Sequence, residues 1–449
     1  SGWEGFGDAW LWCPSLKWFG ASLPSLRIPY GIAGTLMIVA FFVWIWQLAV
    51  VPVALFATAL FAVSRWHLDY ARIAYTIPPA TIVVILLCAA LTRISRHRSL
   101  ACYPLVGVLT GYLFCAYSAY RAIPPFVALA LALLVWQQGW QRHWRGLILT
   151  ALGCATILCP VYPLIMRDPQ FWVEGINRSV LADTGYWHSG AYWQHAWQAV
   201  RLLHPAGDVN PVKNLPGEPM LDTVTGVLFI VGVLWAGWRW RDGFNAMWLL
   251  LFVTLFSVGT VAVHNIDLGR IHTLIPFVFF FIALPVNAIW IRVQPGIRRT
   301  VLVPGMMSLW FLAATQNVTT YARWATDPSV RQAFYNPYLV ALRYLDTVPT
   351  DREINLVGGI SNFFTPSDYG WLQKHRGRVT TDSSTLDVGR SLVLLQEPYR
   401  EQAVALRQRI PGLSCEEITY PDIPANLRMT DPVGELLGMG GNQKIRHHA

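Results

Sequence analysis

Charge is what this sequence has least of: 13% of its 449 residues are Asp, Glu, Lys or Arg, against 54% apolar. That shortage excludes both an ordinary soluble globular chain and an intrinsically disordered one. Cysteine is too dispersed to build a framework. Cys88, Cys102, Cys115, Cys154 and Cys159 lie inside apolar runs and Cys13 and Cys415 stand alone, so neither a disulfide scaffold nor a zinc site is spaced into the chain. No GxGxxG or Walker pattern is present, and Gly358 and Gly359 follow a β-rich run without either, which argues against a nucleotide site. The net charge of +9 sits in short arginine loops rather than in a basic stripe, so no nucleic-acid partner is expected. Internal repeats are absent. The chain opens on Ser with no positively charged leader before its first apolar run, so an upstream segment is expected to have been lost or removed.

What the sequence has is long apolar runs. Stretches near 28–47, 51–64, 76–92, 101–118, 122–137, 146–165, 221–238, 245–263, 271–291 and 300–315 are candidates to cross a membrane, whose hydrocarbon core is roughly 30 Å thick. The expected fold is a polytopic α-helical membrane protein of about ten spans. Of the 59 charged residues (34 Lys and Arg, 25 Asp and Glu), 28 lie beyond residue 320, which marks a separate water-soluble region. The expected organisation is an entry loop over 1–27, a membrane domain over 28–315 containing a long loop at 166–220, and a soluble domain over 316–449.

Arginine in short loops is retained on the cytoplasmic side. The loops "TRISRHR", "QRHWR", "WRWRD" and "IRVQPGIRR" alternate in register with the candidate spans, so all four can lie on one side. The opposite side then receives the loop "SRWHLDYARIAYT", the "YSAYRA" turn, the 166–220 loop, the "VHNIDLGRIH" loop and the C-terminal domain. Arg65, Arg72, Arg121 and Arg270 fall there, where topology does not favour them. Each taken alone could snorkel beside Trp66, Tyr70 or Tyr120 in an aromatic belt. Four together point instead to an anion held at that surface, such as a lipid phosphate gripped by guanidinium forks.

Beyond residue 320 helix signals alternate with the β-rich runs "EINLVGG", "RSLVLLQE" and "CEEITY", the pattern of a small α/β domain. Asp327-Pro328 reads as a helix cap and first-turn proline.

The order of motifs resembles the bacterial polytopic glycosyltransferases of the GT-C superfamily, specifically the family 39 type that includes protein O-mannosyltransferases and aminoarabinose transferases. The segments that carry the resemblance are "GASLPSLRIPYGIAGTL", "VSRWHLDYARIAY", "LTGYLFCAYSAYRAIPP", "NLPGEPMLDTVTGVLFIVGVLWAGWRWRD", "GRIHTLIPFVFFFIALP" and "YARWATDPSVRQAF". The resemblance implies a GT-C fold in a bacterial inner membrane, with the active site and the C-terminal domain in the periplasm. It also implies a polyprenyl-phosphate-linked sugar donor and inverting transfer to an acceptor that is a protein, lipid or glycan.

On that resemblance Arg72, Arg121 and Arg270 would receive the leaving phosphate, with Lys213 and His67 adding contacts, while Tyr70, Tyr120 and Asn214 would meet the sugar or lipid head. A carboxylate must take the acceptor's proton, and in some relatives a divalent metal, Mg or Mn, is positioned as well. In the family that acid lies in the first outer loop. Here the first span is expected to be missing and the principal acid with it, unless Glu4, Asp8 or Asp69 substitutes; Glu4 falls where relatives often carry a second acid before a proline, here Gly5, Asp8 is the other acid nearby, and Asp69 could equally pair with Arg65 or Arg72. The 166–220 loop adds His188, His204, Asp208, Glu218 and Asp222 among Tyr186, Trp187, Tyr192 and Trp193, a mixture that suits sugar recognition or a loop lying on the interface, and Asp222 reads as the cap of the next span.

Two other classes compete. A secondary transporter would place its ionisable residues near the membrane midplane on broken, repeated helices, and the charges here gather at one surface. A scaffold anchored by its spans would not need ten of them.

Overall fold

The computed structural model describes residues 9–19, 23–72, 77–97, 99–116, 118–167, 190–260, 269, 271–327, 329–330, 353–357, 378–379 and 391–395. The chain divides into two compact units, Ser1–Trp324 and Ala325–Ala449.

The regular elements of the first unit are all helices among its described residues, and turns and loops, the longest over 204–222, connect them. In chain order its helices are α1 (Ala9–Phe19), α2 (Leu23–Trp46), α3 (Val51–Val63), α4 (Arg65–Arg72), α5 (Ile77–His97), α6 (Cys102–Ala116) and α7 (Ile123–Gln138). They continue with α8 (Trp140–Arg167), α9 (Ala191–Leu203), α10 (Thr223–Trp238), α11 (Gly243–Thr260), α12 (Ile275–Arg292) and α13 (Val303–Thr326). Short 3-10 turns cover Ser118–Ala122 and His272–Leu274. Apolar runs of this length become helices because a helix alone satisfies its own backbone groups within one segment in lipid. Each of the ten apolar stretches falls on one of these helices.

Seven helices among the described residues are long and apolar enough to cross a membrane, and α3 with α4, bent by 58° at Ser64, would make an eighth. This is a multi-pass membrane protein. The other apolar helices are shorter: α3, α6 and α10 have 13, 15 and 16 residues.

Two ends of the bundle are defined by contacts. At one end Arg96 donates to the Gln47 carbonyl at 2.8 Å, Gln138 donates to the Ser95 carbonyl at 3.2 Å, and the Arg96 guanidinium lies 5.5 Å over the Phe244 ring. These bonds gather the turns after α2, α5 and α7 with the start of α11, and it is the arginine-rich end. The opposite end carries α4. There Trp324 donates to the Pro211 carbonyl at 2.9 Å, and the Thr223 amide donates to Gln316 Oε1 at 3.2 Å. α7 and α12 both begin at the α4 end with proline in the first turn, where the missing amide hydrogen costs nothing.

Between the ends lies an aromatic core. Trp44 stacks on Phe280 at 5.1 Å, meets Trp248 edge-on at 5.4 Å, and donates its indole hydrogen to Thr92 Oγ1 at 3.1 Å. One side chain thereby joins α2, α5, α11 and α12. Glycine lets neighbouring helices close up: a Cβ on Gly232 would lie 2.3 Å from the Phe281 carbonyl oxygen, so α10 and α12 pack backbone to backbone.

The described part of the second unit is a three-stranded parallel sheet of β1 (Glu353–Val357), β2 (Arg378–Val379) and β3 (Ser391–Leu395), in the order β2-β1-β3. β1 and β3 are the expected runs "EINLVGG" and "RSLVLLQE". The third run, "CEEITY", and the connections that would hold the helices of an α/β domain lie outside the described residues. The division at Trp324/Ala325 falls in the last turn of α13. Asp327 Oδ1 accepts from the Ser329 amide at 2.8 Å, the capping geometry expected of the Asp-Pro pair.

Candidate functional site

The densest collection of buried polar groups is built on α4, whose eight residues read RWHLDYAR. Asp69 and Trp66 are 0% exposed, Tyr70 1%, and Arg65 and His67 2%. A belt of snorkelling side chains would leave these residues at the surface. Instead α4 is set into the end of the bundle with Arg65, Trp66, His67, Asp69 and Tyr70 buried and Leu68 and Ala71 half-buried, so the aromatic-belt reading does not hold for Arg65, Trp66 and Tyr70. Gly34 of α2 makes the insertion possible. A Cβ there would lie 2.5 Å from the Ala71 Cβ and 3.7 Å from the His67 ring, so only glycine lets α4 seat against α2.

Arg65 fastens α4 on its other side. Its guanidinium donates to Asn214 Oδ1 and to the Pro219 carbonyl, both at 2.5 Å, and its backbone amide donates to Asn317 Oδ1 at 2.8 Å. Asp69, Glu218 and Asp222 are the acidic groups acting on its charge, and Glu218 also pairs with Arg323 at 3.0 Å. Asn317 in turn donates to Asp222 Oδ2 at 2.7 Å, and Asp222 caps α10 by accepting from the Thr225 amide at 2.9 Å. The capping role expected of Asp222 is therefore present. α4, the 204–222 loop, α10 and α13 are joined by one chain of hydrogen bonds.

Asn214 is committed to that chain. Besides accepting from Arg65, it donates to the carbonyls of Asp208 at 3.0 Å and Glu218 at 2.7 Å, and it is 0% exposed. The amide of Asn214, the residue expected to contact sugar or lipid head, holds the loop together from inside. Lys213 beside it is half-buried.

The face of α4 bearing Trp66 and Tyr70, one turn apart, meets His272 at the start of α12. Tyr70 lies 4.8 Å and Trp66 6.2 Å from the His272 ring. His272 is 0% exposed, and its Nδ1 is 2.9 Å from Thr81 Oγ1 of α5. His67 turns toward α3, 4.7 Å from the Phe61 ring. Trp66 Nε1, His67 Nδ1 and His272 Nε2 have no hydrogen-bond partner among the described residues. Buried polar atoms are almost always satisfied, so three such nitrogens at one end of one bundle call for an explanation.

His67, Asp69 and Tyr70 are thus brought together on one helix, at the end where the sequence placed them. Tyr120, 1% exposed, packs in the Ser118–Ala122 turn against α6, α7 and α11. Arg121 follows it, half-buried, its guanidinium 6.0 Å over the Phe114 ring. Glu4, Asp8, Arg270 and the side chain of Arg72 lie outside the described residues, as do His188, Tyr186 and Trp187. Among the described residues no group of three or more His, Cys, Asp or Glu side chains is placed to hold a metal ion.

Sequence reasoning missed Thr81 and His272, and read Arg65 and Trp66 only as members of a cluster. The signals were there: both of the latter sit in the polar helix between apolar runs, and His272 follows Arg270 at the mouth of the most apolar span.

No family model matches the sequence, and no curated protein does. Two solved structures share a measure of likeness. The crystal structure of ArnT from Cupriavidus metallidurans bound to undecaprenyl phosphate has a TM-score of 0.48 at 11% identity, over 90% of this chain and 78% of that one. The same protein in the apo state has a TM-score of 0.49 at 12% identity, over 90% and 77%. At those values the likeness does not place the chain in a family.

Proposed function

We propose that this membrane protein is a GT-C glycosyltransferase that moves a hexosyl or pentosyl group from a polyprenyl-phosphate-linked donor to an acceptor on the periplasmic side of the bacterial inner membrane. The observation that carries the reading is the α4 end of the bundle. Buried polar side chains in a membrane protein are costly and belong to functional sites by default. Here they collect at one end of the helix bundle, the kind of place where an isoprenoid-anchored phosphate would present itself. That placement also separates the reading from a secondary transporter.

The roles follow from chemistry. Arg72, Arg121, Arg270 and Lys213 would neutralise the leaving phosphate, with His67 beside them. Asp69 is the carboxylate on α4 itself and would accept the acceptor's proton, with Glu4 and Asp8 as the alternative acids. Tyr70 and Tyr120 would offer the sugar an aromatic wall. A divalent metal, Mg or Mn, would assist by charge neutralisation if the acids of the entry loop close over the site. The arginine-rich end would face the cytoplasm by the positive-inside rule.

The test is release of polyprenyl phosphate from a polyprenyl-phosphate sugar by the purified protein in lipid nanodiscs. Turnover that vanishes in Asp69→Asn and Arg270→Ala supports the reading. Absence of binding to any polyprenyl-phosphate sugar would sink it.

A further inference from the structure

We infer that Trp66 Nε1 and His272 Nε2, with His67 Nδ1 nearby, form a hydroxyl-recognition subsite that reads the sugar carried by the lipid donor and takes no part in holding its phosphate. This rests on the glycosyltransferase reading and names a specificity site within it.

The inference starts from orphaned atoms. Trp66 and His272 are each 0% exposed, 6.2 Å apart by ring centres, and each presents a ring nitrogen with no partner among the described residues. Leaving such a group unsatisfied costs on the order of 1–3 kcal/mol, so a ligand or ordered water is expected to complete each.

The chemistry of the nitrogens selects the ligand. An indole Nε1–H only donates. His272 Nδ1 is tied to Thr81 Oγ1, which fixes the ring; when Nδ1 carries the proton toward Thr81, Nε2 is left as an acceptor. One donor and one acceptor together match a group that both accepts and donates, which is an alcohol. A phosphate in its charged state accepts only and would leave a neutral imidazole acceptor unmatched. The walls agree: Tyr70 lies against His272 at 4.8 Å, and aromatic faces beside paired hydrogen-bonding groups suit the mixed polar and apolar surface of a pyranose.

The position agrees as well. Trp66, His67 and Tyr70 belong to the same eight-residue helix as Asp69, the carboxylate assigned to proton transfer. A site built to hydrogen-bond a hydroxyl discriminates strongly against an analogue lacking it, because its buried groups are then unpaired.

The experiment measures affinity for two probes on the full chain in nanodiscs: undecaprenyl phosphate, and undecaprenyl phosphate carrying the sugar that the wild type turns over. Trp66→Phe keeps the ring and removes the donor. His272→Asn keeps an amide near the Nδ1 position for Thr81 and removes the Nε2 function, whereas His272→Gln restores a polar group near Nε2. The expected result is a loss of about tenfold in affinity for the glycosylated carrier in Trp66→Phe and His272→Asn, with partial recovery in His272→Gln and no change for the sugar-free carrier. Equal losses for both probes would assign the nitrogens to the phosphate and overturn the inference. Unchanged affinity for both would assign them to packing or buried water and also overturn it, while leaving the glycosyltransferase reading in place. A wild type that binds neither probe would overturn both.

Discussion

Arg65 donates to Asn214 Oδ1 at 2.5 Å across 149 residues of sequence, and that bond makes α4 and the 204–222 loop one mechanical piece. The second arm of the same guanidinium reaches the Pro219 carbonyl, so the planar fork spans two acceptors that a single point charge could not. Arg65→Ala would strand both acceptors in a buried place, and the expected cost is about 2–4 kcal/mol. It should appear as a lower unfolding temperature in detergent and as faster proteolysis within 204–222. Arg65→Lys should recover only part of the loss. Equal stability of the wild type and Arg65→Ala would mean that the loop is held by something else.

Gly34 and Ala71 share a contact that admits one Cβ and not two. Gly34→Ala would bring the new Cβ to 2.5 Å from the Ala71 Cβ and push α4 off α2, moving His67, Asp69 and Tyr70 with it. Membrane insertion should persist while turnover falls by more than tenfold, since misplacement of about 1 Å at reacting groups costs on the order of a hundredfold. The compensating pair Gly34→Ala with Ala71→Gly returns the missing space and should restore most of the activity. A double variant as inactive as the single one would show that the contact does not govern the site.

How much of this was readable beforehand follows from range. Each of the ten apolar stretches became a helix, because composition alone selects helix in lipid and needs no distant partner. Asp222 was legible as a cap for the same reason, its partner Thr225 being three residues on. Arg65 was not. Its partners lie 149, 154 and 252 residues away, and nothing local in "SRWHLDYARIAYT" distinguishes a buried clamp from a snorkelling cation. The bonds of Asn214 were hidden for the same cause, since a turn-rich loop looks exposed until its amide is seen closing on Asp208, Glu218 and Arg65. His272 carried a signal that was passed over: a histidine at the mouth of a span of mean hydropathy 2.3 has to find a partner or a purpose.

Asn317 belongs to an Asn-Val-Thr triplet, yet its side chain is 3% exposed and bonded to Arg65, Asp222 and the Ala313 carbonyl. Its role is therefore structural. Asn317→Ala removes the acceptor for the Arg65 amide and the donor to Asp222 together, and the expected loss is about 2 kcal/mol of stability. Asp222→Ala removes the α10 cap and the same donor's partner. Because the two share one bond, the double variant should cost less than the sum, by roughly 1 kcal/mol in a thermal-stability cycle. Strict additivity would mean that the Asn317–Asp222 bond contributes nothing.

The direction of the chain across the membrane is testable at two exposed positions on opposite ends of the bundle. Val209, 77% exposed, lies in the loop fastened by Arg65, and Leu100, 49% exposed, follows the "TRISRHR" arginines. Short loops rich in arginine stay cytoplasmic because moving them across the membrane is opposed during insertion. In a version with the native cysteines replaced, Val209→Cys should react with a membrane-impermeant maleimide on intact cells. Leu100→Cys should react only after permeabilisation. Reversal of the pair would put the α4 end in the cytoplasm, where a periplasmic donor could not reach it, and the proposed acceptor side would have to be abandoned. Labelling of both positions in intact cells would require an even number of crossings between them and would overturn the assignment of Leu100 to the cytoplasm.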